Sequence, residues 1–201
     1  MNGNEIIIDA YKEEYDIDGI NFCDEQIDDI NFEDVTFKNC TFKNVTFQDV
    51  SLKRSYFLNT TFIDVDLSGA NFQESKFKNC AFTSCKAFGT KFMDTIFEDI
   101  TIEEMIGRYA SFANSEWKGV KLDNSKLEES SLQEIKLKKV AFKDVSFLRS
   151  ELMNTRFKDI DLRSVNINGV MITPNDIKEA IVNSQQALKL STLLGIVIND
   201  D

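Results

Sequence analysis

The side chains able to do chemistry in this chain are carboxylates and a few thiols. Aspartate and glutamate together number 34, cysteine 4, and histidine is absent from the 201 residues. Without histidine the chain lacks the commonest general base and the commonest metal ligand. Neither a Ser-His-Asp triad nor a histidine zinc site can be assembled. The 8 glycines are scattered and form no phosphate-binding loop. Carboxylates do recur in register: Asp24, Asp64, Glu104 and Asp144 fall forty residues apart. Such a row could be imagined as a calcium site, yet carboxylates pointing outward from a regular surface are ordinarily solvated. The composition therefore points away from an enzyme, and no cofactor or metal is expected.

The remaining composition bounds the setting. Four cysteines with no secretory leader argue for a reducing, cytoplasmic compartment. No apolar run approaches the roughly 20 residues of a membrane span. The formal net charge is −11. About twelve carboxylates and one cation, Lys12, fall in residues 1–34, and from residue 35 the two signs roughly balance. Acidity of this kind suits basic partners and opposes direct nucleic-acid binding.

What must position these groups is a period of five. Apolar centres step from Phe22 through Ile27, Phe32, Phe37, Phe42 and Phe47 to Phe82, resume at Phe92, and continue to Ile172. Neither a helix at 3.6 nor a flat strand at 2 has this period, which marks a repeat. Two positions before each centre the residue is small or apolar, as at Val35, Cys40, Val45, Ser55 and Cys80. Each pentad thus sends one large and one small side chain inward. Cys40, Cys80 and Cys85 take the small inward slot and read as packing, while Cys23 points outward.

Stretches such as Thr36-Phe37-Lys38-Asn39-Cys40 and Ala70-Asn71-Phe72-Gln73-Glu74 carry a resemblance to the pentapeptide-repeat family over residues 20 to 174. The resemblance implies an all-β fold, a right-handed quadrilateral parallel β-helix with one pentad per side and nearly eight coils. Residues twenty apart would then stack at about 4.8 Å. Residues 1–19 would form an N-terminal cap, with Ile6, Ile7 and Ile8 as a strand across the first coil and Ile17 as a weak first centre. Residues 175–201 would form a C-terminal helical cap. There Thr173-Pro174-Asn175-Asp176 reads as the start of a short helix carrying Ile177, Ala180 and Ile181. Ser184 would cap a second helix through Leu194, stopped by Gly195. The surplus of apolar residues in this tail predicts a homodimer that buries Leu190, Leu193, Leu194, Ile196 and Ile198.

The centre rule fails at Ala87 and Gly107, twenty residues apart and so on one face of adjacent coils. Phe88 and Ile106 are expected to fill the space and bulge the wall, altering the surface at Gly89, Arg108 and Tyr109. The stretch Cys85-Lys86-Ala87-Phe88-Gly89-Thr90-Lys91-Phe92, and the ending Leu193-Leu194-Gly195-Ile196-Val197-Ile198, resemble the Qnr and MfpA group. That resemblance implies a C-terminal dimer and a DNA-mimicking ligand of DNA gyrase or topoisomerase IV, acting in quinolone resistance or toxin immunity. The partner-binding residues it suggests are Lys86, Ala87, Phe88 and Gly89, then Asp94, Glu98, Asp99, Glu103 and Glu104, and finally Gly107, Arg108 and Tyr109. One face gathers Lys38, Lys76, Lys78, Lys118, Lys136, Lys138, Lys139, Arg156 and Lys158, a departure from all-round acidity. A structural or adaptor module with another protein partner is the alternative function.

Overall fold

In the computed structural model, which describes residues 1–199, the backbone winds as a parallel β-solenoid. Every strand pair joins residues twenty apart, as in Phe37 with Phe57 and Phe62 with Phe82. Four sides result, with five residues on each. The first side carries the centres Ile17, Phe37, Phe57, Phe77, Phe97, Trp117 and Leu137 in a seven-stranded sheet, and the second carries Phe22, Phe42, Phe62, Phe82, Ile102, Leu122 and Phe142 in another. The third and fourth sides start as strands at Ile27 with Phe47 and at Phe32 with Leu52. Above these they tighten into turns joined by single bridges such as Lys86 to Ile106 and Lys91 to Ser111. Seven strands make six coil-to-coil steps on each long sheet. That is fewer than the nearly eight coils counted from the pentads, because the outermost pentads hold on by isolated bridges or single hydrogen bonds, such as Asp161 to Ile181 and Phe157 N–H to Asp176.

The interior follows the expected size alternation. Phe22, Phe37, Phe42, Phe57, Phe62 and Phe77 are fully buried, and so are Cys40, Val45, Val65 and Ala70 in the small slot. Rings one coil apart stack nearly parallel, as Phe57 on Phe77 at 4.5 Å between centroids, while rings on adjacent sides meet edge-on. Offset stacks and T-shaped contacts both suit the aromatic quadrupole. At several small slots that hold a hydroxyl, that group serves as a ladder partner: Ser75 Oγ donates to the Leu52 carbonyl at 2.9 Å and accepts from the Ser55 N–H at 3.1 Å. Cys40, Cys80 and Cys85 are buried and Cys23 is exposed. Burial pushes the Cys80 and Cys85 thiols up to about 11, so both stay protonated and inert.

The corners explain which polar residue stands where. Two positions after almost every centre the backbone enters the left-handed region, as at Asp24, Asn39, Asn59, Asp64, Asp94, Asp99 and Glu104. Only glycine, asparagine and aspartate adopt that conformation at low cost. Asparagines on one corner also form a ladder, with Asn59 Nδ2 donating to Asn39 Oδ1 at 3.0 Å and Asn79 Nδ2 to Asn59 Oδ1 at 3.2 Å.

Both ends depart from expectation. The N-terminal cap is a helix, α1 (Gly3–Lys12), and not a strand at Ile6 to Ile8. Asn2 and Glu5 form a capping box, and the Gly3 N–H donates to Glu25 Oε2 at 2.7 Å. Ile7 and Ala10, three apart on one helix face, are buried over the first coil, and Tyr11 stacks on Phe32 at 4.1 Å. At the other end, residues 174–183 form further turns of the coil where a short helix was expected. The last rungs have ladder groups to satisfy, and this segment satisfies them: Asp159 N–H bonds the Glu179 carbonyl, and Leu162 N–H the Ile181 carbonyl. Asp176, buried, accepts from both the N–H and the hydroxyl of Thr173. The second helix, α2 (Ser184–Leu190), starts from Asn183 instead of Ser184, continues as a 3-10 turn to Leu194, and stops at Gly195 in the left-handed region as expected.

Candidate protein-binding surface

The suggested partner-binding residues do not form one patch. Asp94 lies on the corner between the fourth and first sides, Glu98 on the first side, and Asp99 on the next corner. Glu103 lies on the second side and Glu104 on the corner leading to the third. One coil thus spreads its five carboxylates around most of its circumference. Three of them, Asp94, Asp99 and Glu104, sit at left-handed corners, where backbone geometry favours the two aspartates but not the glutamate.

Glu98 belongs to the basic face. Lys118 Nζ lies 2.7 Å and Lys78 Nζ 3.8 Å from its Oε1, and Lys76 Nζ lies 3.4 Å from its Oε2. The Lys118 hydrogen bond is the main cause that holds the Glu98 carboxyl at about 2, below its ordinary 4.5. A folded value below the unfolded one stabilises the fold above about pH 4.5, and that contribution fades as pH falls towards 2. A carboxyl NMR titration of Glu98 is therefore expected to have its midpoint near 2, and Lys118→Ala to move it upward. A midpoint near 4.5 in the unsubstituted protein would contradict the ion-pair geometry.

The breaks are brought together on the third side. Ala87 and Gly107 are both buried, and the ladder runs through them unbroken: Ala87 N–H to the Ile106 carbonyl at 2.8 Å, Gly107 N–H to the Lys126 carbonyl at 2.8 Å. The wall does not bulge. Phe88 and Ile106 do not fill the lumen; each is 42% exposed. Leu127 takes the room instead, with its Cδ2 2.6 Å from where a Cβ on Gly107 would stand. A large centre one rung on thus leans over a missing one. That compensation lies twenty residues from the break, so a pattern read pentad by pentad does not reveal it.

Around the breaks, Arg108 Nη2 pairs with Glu129 Oε1 at 2.7 Å, and Arg149 shares the same carboxylate at 2.8 Å. The Arg108 hydrogen bond is the main cause holding the Glu129 carboxyl below its usual range. The Arg108 guanidinium carbon lies 4.8 Å from the Tyr109 ring centroid. Tyr109 is 55% exposed on a left-handed corner. Among the described residues no group of histidine, cysteine or carboxylate side chains is arranged to hold a metal ion. No helix among the described residues is long and apolar enough to cross a membrane.

A model of the pentapeptide repeat region matches residues 30–105 and 55–132, together more than half of the chain. The chain belongs to the pentapeptide-repeat family. Among solved structures, this pentapeptide-repeat protein is similar to trypsin-treated QnrB1, described as a plasmid-mediated fluoroquinolone resistance protein. The identity there is 22%, covering 91% of this chain and 99% of that one, at a TM-score of 0.38. It is also similar to HetL, a pentapeptide-repeat protein of the cyanobacterium Nostoc sp. involved in heterocyst differentiation regulation. That identity is 12%, covering 90% and 94% of the two chains, at a TM-score of 0.43. A comparison with curated proteins gives no match. The family assignment rests on the repeat model and agrees with the twenty-residue ladder.

Proposed function

We propose that this pentapeptide-repeat protein is a non-enzymatic ligand of a type II topoisomerase such as DNA gyrase, occupying a basic DNA-binding surface with its acidic N-terminal coils. The reading is carried by the charge distribution. Residues 1–34 hold 12 of the 34 carboxylates and 1 of the 23 cations, leaving 22 of each beyond, so the whole formal excess of −11 resides at one end of a rod. Duplex mimicry is accordingly assigned to that end and not to the full length. The similarity to QnrB1, whose description names fluoroquinolone resistance, supports the same reading.

A homodimer through the C-terminal segment completes the proposal. In the single chain Leu194 is 66% exposed, Ile196 50%, Ile198 42% and Leu193 37%, while Leu190 is half-buried. A symmetric contact would cover this apolar surface. The test is a supercoiling assay with purified gyrase, with and without ciprofloxacin, on a preparation whose mass is measured by light scattering. An effect at micromolar protein that weakens steeply with salt is expected, from a species of twice the chain mass. No effect rejects the topoisomerase reading, and a monomer mass at tens of micromolar rejects the dimer.

The neutral body and the basic first side favour a second reading, an adaptor that holds a different protein. Recovery of another protein partner by the purified chain, with no topoisomerase subunit, would select it.

A further inference from the structure

Between residues 85 and 109 the third side inverts the size pattern of the repeat. The inward centres are Ala87 and Gly107, while the large apolar side chains Phe88 and Ile106 stand outside. Below them on the same side the outward positions are polar: Gln26, Asp28, Thr46, Gln48, Asp66 and Ser68. Apolar side chains placed outside, over small centres whose lumen space Leu127 has already taken, contribute little to packing within the chain. Tyr109 adds to the anomaly. An aromatic residue at φ +62° occupies a backbone region where bulky residues are strained. The two corner residues below it on the same edge, Gly69 and Gly89, leave open space where side chains would stand. Tyr109 is held by Arg108 and by a hydrogen bond with Glu129 on the next rung, yet stays 55% exposed, while the corner below it beside Phe88 is open.

Two lysines stand in the groove beside this patch, with Glu104 on its rim and Asp66 on the rung next to Lys86. Lys86 and Lys126 occupy the rungs on either side of Ile106 and line a shallow groove with it. Neither lysine forms an ion pair among the described residues. Two rungs place them about 10 Å apart. Glu104, on the rim, already accepts from Ser84 Oγ at 2.7 Å. The ladder N–H groups of Ile106 and Lys126 are spent on Cys85 and Met105, so no backbone edge is offered and recognition must come from side chains.

We propose that this groove docks an acidic segment of the protein partner, with two carboxylates about 10 Å apart meeting Lys86 and Lys126, an apolar side chain between them seated on Ile106, and the segment continuing across the third side over Phe88 and Tyr109. The identity of that partner rests on the topoisomerase reading; the groove is a second contact of opposite sign to the first. The test measures binding of purified DNA gyrase by surface plasmon resonance. The unsubstituted protein is compared with a Phe88→Ser, Tyr109→Ser pair and a Lys86→Glu, Lys126→Glu pair, each checked for an unchanged melting curve. Each pair is expected to weaken binding about tenfold or more. If the serine pair alters melting, the charge-reversed pair decides alone. Unchanged affinity overturns the groove and leaves the topoisomerase reading standing. Tighter binding after charge reversal also overturns it, because the docked segment would then be basic. No binding by the unsubstituted protein removes both.

Discussion

Phe77→Ala is expected to lower the unfolding free energy by about 3–5 kcal/mol. Phe77 is fully buried on the first side and sits in the middle of the aromatic column. Its ring stacks on Phe57 at 4.5 Å and on Phe97 at 5.4 Å, and it meets Phe62, Phe72 and Phe92 edge-on. Truncation removes the transfer free energy of the ring and leaves a cavity that backbone ladders on both sides keep from collapsing. Each coil contacts only its neighbours, so the loss also weakens coupling between the two halves of the rod. Urea unfolding followed by circular dichroism measures the change. A loss under about 1 kcal/mol would mean that the column is loosely packed.

Ile7→Asp is expected to be comparably severe and to act differently. Ile7 is fully buried where α1 closes the first coil. Ile7 packs in the apolar core, and the single lysine or arginine of residues 1–34 is Lys12 in the last turn of α1, so a carboxylate there would be a buried charge costing several kcal/mol. The helix would undock before the charge stayed inside. Phe22 and Ile27, both fully buried beneath the cap, would then meet water, and the first rung would present unpaired edges. The expected readouts are early proteolysis near residues 1–16 and growing mass in light scattering. A variant that remains soluble, protease-resistant and unchanged in melting would show that α1 contributes little to closure.

The interior was legible in the residues because burial imposes a strict period. One large and one small inward side chain per five positions leaves an unmistakable trace, and Cys40, Cys80 and Cys85 fell into place by register alone. The corners were less legible. Asp94, Asp99 and Glu104 looked like a cluster of acids because they are close in sequence, yet a turn of the chain every five residues sends neighbours to different faces. The left-handed backbone at each corner accounts for much of that aspartate and asparagine.

The caps depart from their local propensity for a related reason. Ile6 to Ile8 is β-branched and strand-like by propensity, but the Asn2 and Glu5 capping box and the need for Ile7 and Ala10 to face one way favour a helix. Pro174 resembled a helix start, while open ladder groups at Phe157, Asp159 and Leu162 drew the segment into the coil. The compensation of Gly107 by Leu127 is visible in the sequence only between residues twenty apart, not five apart.

The twenty-residue register makes the molecule a graduated scale. From Ile27 to Ala87 is three rungs, about 14 Å, and from Ile27 to Gly107 four, about 19 Å. Duplicating or excising one complete set of four pentads would slide the groove along the axis by a single division and leave every face pointing as before. The separation between the acidic tip and the groove can therefore change only in whole steps, and a partner gripping both is matched to one graduation.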